Sequence, residues 1–314
     1  MIRANAHIAS KRLSLVERIS GAAMSHDEWC DRFAQILAER ESKPNTVRTR
    51  KSQMARLRRS FDADRPAAKI TTRDCAAMIA AIKAEGKHRT AQAFRSFMVD
   101  SFDCMKAEGV LTGDNPARVT AEVRVKVKRA RLPFETFVRL YETTSIRWLR
   151  NAMALALVAG KDRDSVRNAQ FPDFRDGGWW NERSKTEGRV YLPMRLRLRV
   201  FGMSLEDVLK QCRGTAIASR YLIHQTERAK GATLGKPLHP DMITRVFSAE
   251  LAKLNIDWGG KEPATFHEIR SLAARLYQEQ GDISPKELLS HKDPKSTALY
   301  LDGRGEWLKM SVPE

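Results

Sequence analysis

Apolar positions along the chain fall mostly at helical spacing, with one short region of strand character. Ile8, Leu13, Val16 and Ile19 alternate with Lys11, Arg12 and Arg18, predicting a short helix before a Gly-Ala-Ala connector. At Ser25-His-Asp-Glu28 a serine and a glutamate three residues apart can satisfy each other's backbone N–H groups, a capping box that starts a helix. Trp29, Phe33, Ile36 and Leu37 then recur on one face. A second helix is predicted after Pro44-Asn-Thr46, with Val47, Met54, Leu57 and Phe61 for its core side. A third runs from Thr71-Thr72 through Met78, Ile79 and Ile82 to Glu85-Gly86. A fourth spans Thr90 to Glu108 with Phe94, Phe97, Met98, Phe102 and Met105, and stops at Gly109. Residues 24–117 therefore read as a small helical domain, and residues 1–23 as too little chain for a domain of their own.

Residues 118–131 break the pattern. Charges alternate with small apolar residues and no large core residue occurs, which predicts an extended basic linker. A second domain is expected over 132–314. Helices are predicted at 134–145, 147–160, 204–213, 239–254 and 266–279. Two β-prone runs, Gly177-Gly-Trp-Trp and Arg189-Val-Tyr-Leu-Pro193, flank a turn that carries Lys185, as in a hairpin.

Charge adds a partner. The formal net charge is +18, and basic residues recur in every segment rather than in one tail. Such an excess attracts polyanions, nucleic acid above all. Arg48, Arg50, Lys51, Lys87, Arg89, Lys126, Lys128 and Arg129 are candidate contacts to a DNA backbone. Such contacts position a protein on a duplex without reading its bases. Four cysteines, Cys30, Cys75, Cys104 and Cys212, lie in helix-like apolar patterns, with no CxxC pair and no histidine at metal spacing. Buried thiols in a reducing cytoplasm are expected, with no metal and no cofactor. No apolar run is long enough to span a membrane.

The candidate chemistry lies near the C-terminus, in Thr265-Phe-His-Glu-Ile-Arg270, Leu288-Leu-Ser-His291 and Tyr300. An arginine can bind two phosphate oxygens through its planar fork. Histidines can hydrogen-bond a phosphate or move a proton. A tyrosine hydroxyl can attack phosphorus and form a covalent intermediate. Together they are parts of a metal-free phosphoryl-transfer site.

Those residues, with Arg304-Gly-Glu-Trp307 after them and Trp29-Cys-Asp-Arg-Phe, Ile70-Thr-Thr and Glu85-Gly-Lys87 before them, resemble the tyrosine recombinases of the phage lambda class of integrases over nearly the whole chain. The resemblance implies a mainly α fold with a small β-sheet: an all-α, SAM-like core-binding domain and an α/β catalytic domain. It implies Tyr300 as nucleophile, His267, Arg270 and His291 as phosphate-site groups, and Lys185 of Ser184-Lys-Thr186 as general acid. It also implies a homotetramer on double-stranded attachment core sites in the bacterial cytoplasm, at the nucleoid, with a host DNA-bending protein and an excisionase as further partners. The segment after Tyr300 is expected to pack on a neighbouring subunit.

Two departures stand out. The family's first arginine follows the helix that ends here at Gly160, and an ungapped count places Asp162 at that position. Arg163 is the expected substitute, with Lys161 a second candidate cation; Ser165 stands where an acidic residue is usual, and Ser290 where glycine usually precedes His291. The N-terminal arm-binding domain of lambda-class integrases is expected to be represented only by its last helix, in residues 1–23. Two alternatives accompany the recombinase: an integrase-like DNA-binding protein impaired by Asp162, and a type IB topoisomerase-like enzyme.

Overall fold

The structure is a computed structural model that describes residues 24–40, 42–125, 127–182, 189–228, 233–290 and 294–302. The chain divides into two compact units, Met1–Lys126 and Val127–Glu314.

The first unit is helical. Ser25 caps α1 (His26–Glu39) with the expected capping box, and Thr71 starts α3 (Thr72–Ala84) with a second one. Between them, α2 (Pro44–Arg58) starts at proline, whose missing N–H costs nothing in a first turn. α4 (His88–Ala107) is the long element, and its Phe94, Phe97, Met98, Phe102 and Met105 are buried against Trp29, Phe33, Leu57, Ile79 and Ile82. Two polar groups taken into this core find partners. Trp29 Nε1–H donates to Ser101 Oγ at 2.9 Å, and His26 Nε2–H donates to the Leu57 carbonyl at 3.0 Å. A short helix, α5 (Pro116–Val119), follows Asn115, whose side chain accepts from the N–H groups of Ala117 and Arg118. Residues 121–125 form no regular element, but Val123 is buried and Val125 packs on the same core. The start of the expected linker is therefore tethered through its small apolar positions.

The second unit is built around α7 (Arg147–Ala159). Every residue from Asn151 to Ala159 is buried. A helix apolar on all sides belongs in the middle of a core. Around it lie α6 (Phe134–Thr143), α8 (Arg163–Asn168), α9 (Leu205–Arg213), α10 (Met242–Ala252) and α11 (Glu268–Gln280). A three-stranded antiparallel sheet joins β1 (Phe174–Arg175), β2 (Gly178–Glu182) and β3 (Arg189–Pro193), with Trp179 opposite Leu192 on the buried face. The two long strands are the predicted hairpin, while its turn, with Lys185, lies outside the described residues. A two-stranded pair, β4 (Arg197–Leu198) and β5 (Met203–Ser204), leads into α9. Two short helices close the described chain, α12 (Pro285–Leu289) and α13 (Pro294–Leu301).

One glycine organises the join between these parts. Gly160 ends α7 in the left-handed conformation, φ 60°. A Cβ there would stand 2.7 Å from Leu288 Cγ, so α12 can approach only because this residue has no side chain. Tyr277 on α11 ties the same end of α7, its hydroxyl donating to the Val158 carbonyl at 2.8 Å.

Candidate active site

Gly160 places the chain that follows it against α12. The side chain of Lys161 is buried, only 3 % of the residue being exposed. Its Nζ donates to the Leu288 carbonyl at 3.2 Å and lies 3.3 Å from Ser290 Oγ. Ser290 itself is in the left-handed region, φ 56°, where glycine is favoured. Thus two departures from the family pattern, a cation shifted by one residue and a serine in place of glycine, meet in space.

Asp162 serves its own helix. It is the N-cap of α8, and its Oδ1 accepts from the Ser165 N–H at 3.0 Å. Aspartate is among the best residues for that position. Arg163, expected to supply the missing charge, points its guanidinium at other groups. Its Nε donates to Asp164 Oδ1 at 3.2 Å, and its Nη1 lies 3.6 Å from Asp241 and 3.5 Å from Thr244 Oγ1, at the start of α10. Of the two candidate cations in this turn, Lys161 rather than Arg163 lies against the Leu288–Ser290 segment. The reason is the turn. Gly160 redirects the chain, so the side chain one residue further on belongs to α8 and faces α10.

Arg270 forms the floor. It lies on α11, which starts just after His267, and is 1 % exposed. Its Nη1 donates to the Gly160 carbonyl at 2.5 Å and its Nη2 to the Leu289 carbonyl at 2.6 Å. The fork thus holds the ends of α7 and α12 together. The Tyr300 ring on α13 lies over it, 5.5 Å from the guanidinium carbon. Tyr300 Oη is 3.4 Å from His267 Nε2, and the two rings are 5.8 Å apart at 60°. His267 is exposed and Tyr300 half-buried, so this side of the site is open to solvent. Tyr277, the other tyrosine of this helix group, is fully buried, and burial pushes its phenol up. Tyr300 is the accessible one.

The structure therefore brings together His267, Arg270, Tyr300 and Lys161. It places Arg163 elsewhere. Lys185 and His291 lie outside the described residues. Among the described residues, no group of three or more His, Cys, Asp or Glu is placed to hold a metal ion. Arg131, the last residue of the expected linker, belongs instead to the core of the second unit. It is buried and pairs with Glu268 on α11. Its flanks, Ala130 and Leu132-Pro133, were the available signal, since a solvated basic run has no need of such neighbours.

The candidate DNA contacts divide by environment. Arg48, Lys51, Lys87, Arg89 and Lys128 are exposed. Arg48, Arg56 and Arg89 line a groove of about 420 Å³ between α2 and α4. Arg50 is partly committed to structure, 3.5 Å from Asp100 and over the Phe97 ring at 5.3 Å. Arg129 lies 3.9 Å from Glu262. Lys126 is outside the described residues.

Comparison with known proteins bears on the whole chain. Residues 131–305 match the phage integrase family. The integrase of Escherichia phage HK022 is 36 % identical, the match covering 99 % of this chain and 86 % of that protein. The crystal structure of a lambda integrase dimer bound to a COC′ core site is similar at a TM-score of 0.84 with 32 % identity, covering 92 % of this chain and all of that one. That of a lambda integrase tetramer bound to a Holliday junction is similar at 0.84 with 31 % identity, over 96 % of this chain and 85 % of that one.

Proposed function

The chain belongs to the phage integrase family, and from that premise we propose that Tyr300 is the nucleophile of its DNA strand-transfer reaction. The chain is a site-specific DNA recombinase with a mainly α fold and a small antiparallel sheet. The observation that carries the assignment is the Tyr300 ring set over the buried Arg270 guanidinium, with its hydroxyl at His267.

In this reading Tyr300 Oη attacks the scissile phosphate, the new P–O bond forms a 3′-phosphotyrosyl link, and the bond to the 5′-oxygen breaks. His267 accepts the tyrosine proton. Arg270 and Lys161 face the negative charge that builds on the phosphate, and charge-assisted contacts in a water-poor site are worth most there. Lys185 protonates the leaving 5′-oxygen and His291 adds a hydrogen bond; both roles rest on the family resemblance. The phosphotyrosyl bond conserves the energy of the phosphodiester, so religation needs no nucleotide.

Lambda integrase forms a dimer on a core site and a tetramer on a Holliday junction. The same assembly is assigned to this chain: a homotetramer on two paired duplex sites, with a helical core-binding domain at 24–117, a basic linker at 118–131 and a catalytic domain at 132–314. A host DNA-bending protein and an excisionase are its accessory partners, and the cytoplasm is its compartment. No helix among the described residues is long and apolar enough to cross a membrane.

Asp162 supports a second reading, an integrase-like DNA-binding protein without cleavage. Nicked suicide duplexes randomised over the core sequence separate the two. A covalent adduct that disappears in Tyr300→Phe is the expected result. DNA binding with no adduct from any member of the pool, restored by Asp162→Arg, establishes the impaired protein instead.

A further inference from the structure

The C-terminal helix that carries Tyr300 is short. α13 has eight residues, Pro294–Leu301. A helix of that length does not hold itself in water and needs outside contacts. Its apolar side gives it few. Leu299, next to Tyr300, is 72 % exposed, whereas Thr297 is buried. The end of the helix is held through its backbone instead.

The group that holds it is Arg131. Its Nη2 donates to the Leu299 carbonyl at 2.6 Å and its Nε to the Asp302 carbonyl at 2.8 Å. Its Nη1 donates to Ser271 Oγ at 2.7 Å and to Glu268 Oε2 at 3.0 Å, both on α11. All three guanidinium nitrogens are used, and the Arg131 and Glu268 side chains are 2 % and 3 % exposed. Carbonyls at a helix C-terminus lack partners within the helix, and a cation there also meets the negative end of the dipole. Arg131 supplies both to α13. The backbone around it is fixed too. Ala130 N–H donates to the Glu262 carbonyl and Glu262 N–H to the Lys128 carbonyl, both at 2.9 Å. Glu262 lies just before the segment that carries His267 and Arg270.

We infer that Arg131 is a positioning residue that latches the Tyr300 helix to α11, so that the hydroxyl of Tyr300 is held against His267 and Arg270. The inference rests on Tyr300 being the nucleophile. Arg131 touches no reacting atom; it fixes the frame between α11, which carries Arg270, and α13, which carries Tyr300. A lysine keeps the charge opposite Glu268, but one ammonium has no planar fork with which to reach Glu268 and two carbonyls together.

The test uses Arg131→Lys and Arg131→Ala in the full chain. Backbone amide exchange is followed peptide by peptide, beside single-turnover adduct formation on duplexes selected from the randomised pool. In Arg131→Lys, exchange over 297–302 is expected to rise about tenfold, the effect of one lost hydrogen bond to a charged group. α7 and α11 keep their protection, DNA affinity stays within about twofold, and adduct formation slows about tenfold. Arg131→Ala slows it further, so the conservative variant is a partial rescue. Unchanged exchange over 297–302 in both variants overturns the latch, as does a rise spread evenly over the unit, which is general destabilisation. The exchange measurement stands apart from the chemistry. An unsubstituted chain that forms no adduct removes the nucleophile reading, while exchange at 297–302 still decides the latch.

Discussion

The surface pairs of the first unit and the site of the second hold their cations differently. In the first, arginines sit at the surface opposite carboxylates. Arg40 lies 2.8 Å from Asp100, Arg58 2.7 Å from Asp27 and Arg65 2.5 Å from Asp74, while Arg32 pairs with Glu108. In the second, the cations of the site are buried, and their contacts include neutral oxygens: Gly160 and Leu289 carbonyls for Arg270, the Leu288 carbonyl and Ser290 hydroxyl for Lys161. Neutral oxygens of this kind fix the direction in which a cation's N–H groups point. Burying such a charge is costly. The second unit bears that cost at the residues proposed to meet the phosphate, and within the same unit Arg131 is buried against Glu268. The paired arginines of the first unit add nothing to the net +18, which counts only the cations in excess of the carboxylates.

The largest effect that sharpens this contrast is expected at Arg270. Arg270→Lys keeps one positive charge but cannot span the Gly160 and Leu289 carbonyls. Adduct formation in single turnover should fall by about 10²–10³, the scale for removing one preorganised donor from a transition state. Melting temperature should fall as well, since a buried carbonyl loses its donor. A loss under about tenfold would mean that charge alone suffices, and the distinction between held and merely present cations would fail.

Lys161 and Arg163 come next, as neighbours with opposite expectations. Lys161→Met should slow adduct formation by about 10² with little change in DNA affinity. Arg163→Met should leave cleavage within about threefold, because its partners are Asp164, Asp241 and Thr244 and surface pairs of this kind contribute little. Reversed results would return the role to Arg163.

This pair also marks where the sequence stopped being legible. Spacing was enough for the four longer helices of the first unit, because each carries several apolar positions on one face, and the first announces itself with a capping box at Ser25. The hairpin and the His267, Arg270, Tyr300 series were legible for the same reason, as patterns local in the chain. Choosing between Lys161 and Arg163 needed a backbone turn, the left-handed Gly160, and the packing of Leu288 upon it, a contact between distant residues. Helices as short as α5, α8, α12 and α13 hold too few apolar positions to show a period. Arg131 reads as one more basic residue until the groups that cover it are known.

The smallest expected effect probes the other side of the contrast, a surface pair in the first unit. Asp74 accepts from Arg65 Nη2, from the Thr71 N–H and from the Thr71 hydroxyl, and with the Arg65 guanidinium foremost these hold its carboxyl down at about 2. The unfolded carboxyl titrates near 3.9. The folded value lies below it, so the stabilisation is complete above about pH 4 and is lost as pH falls through about 2. Asp74→Asn should cost about 1 kcal/mol at neutral pH, a capping-box and surface-pair loss, and nothing further in acid. Urea melts of both chains at pH 7, 4 and 2.5 should therefore converge as pH drops, while adduct formation at neutral pH stays equal. Melts that remain parallel down to pH 2.5 would show that the carboxylate is not what stabilises the start of α3. A fall in adduct formation would show that first-unit pairing reaches the chemistry after all.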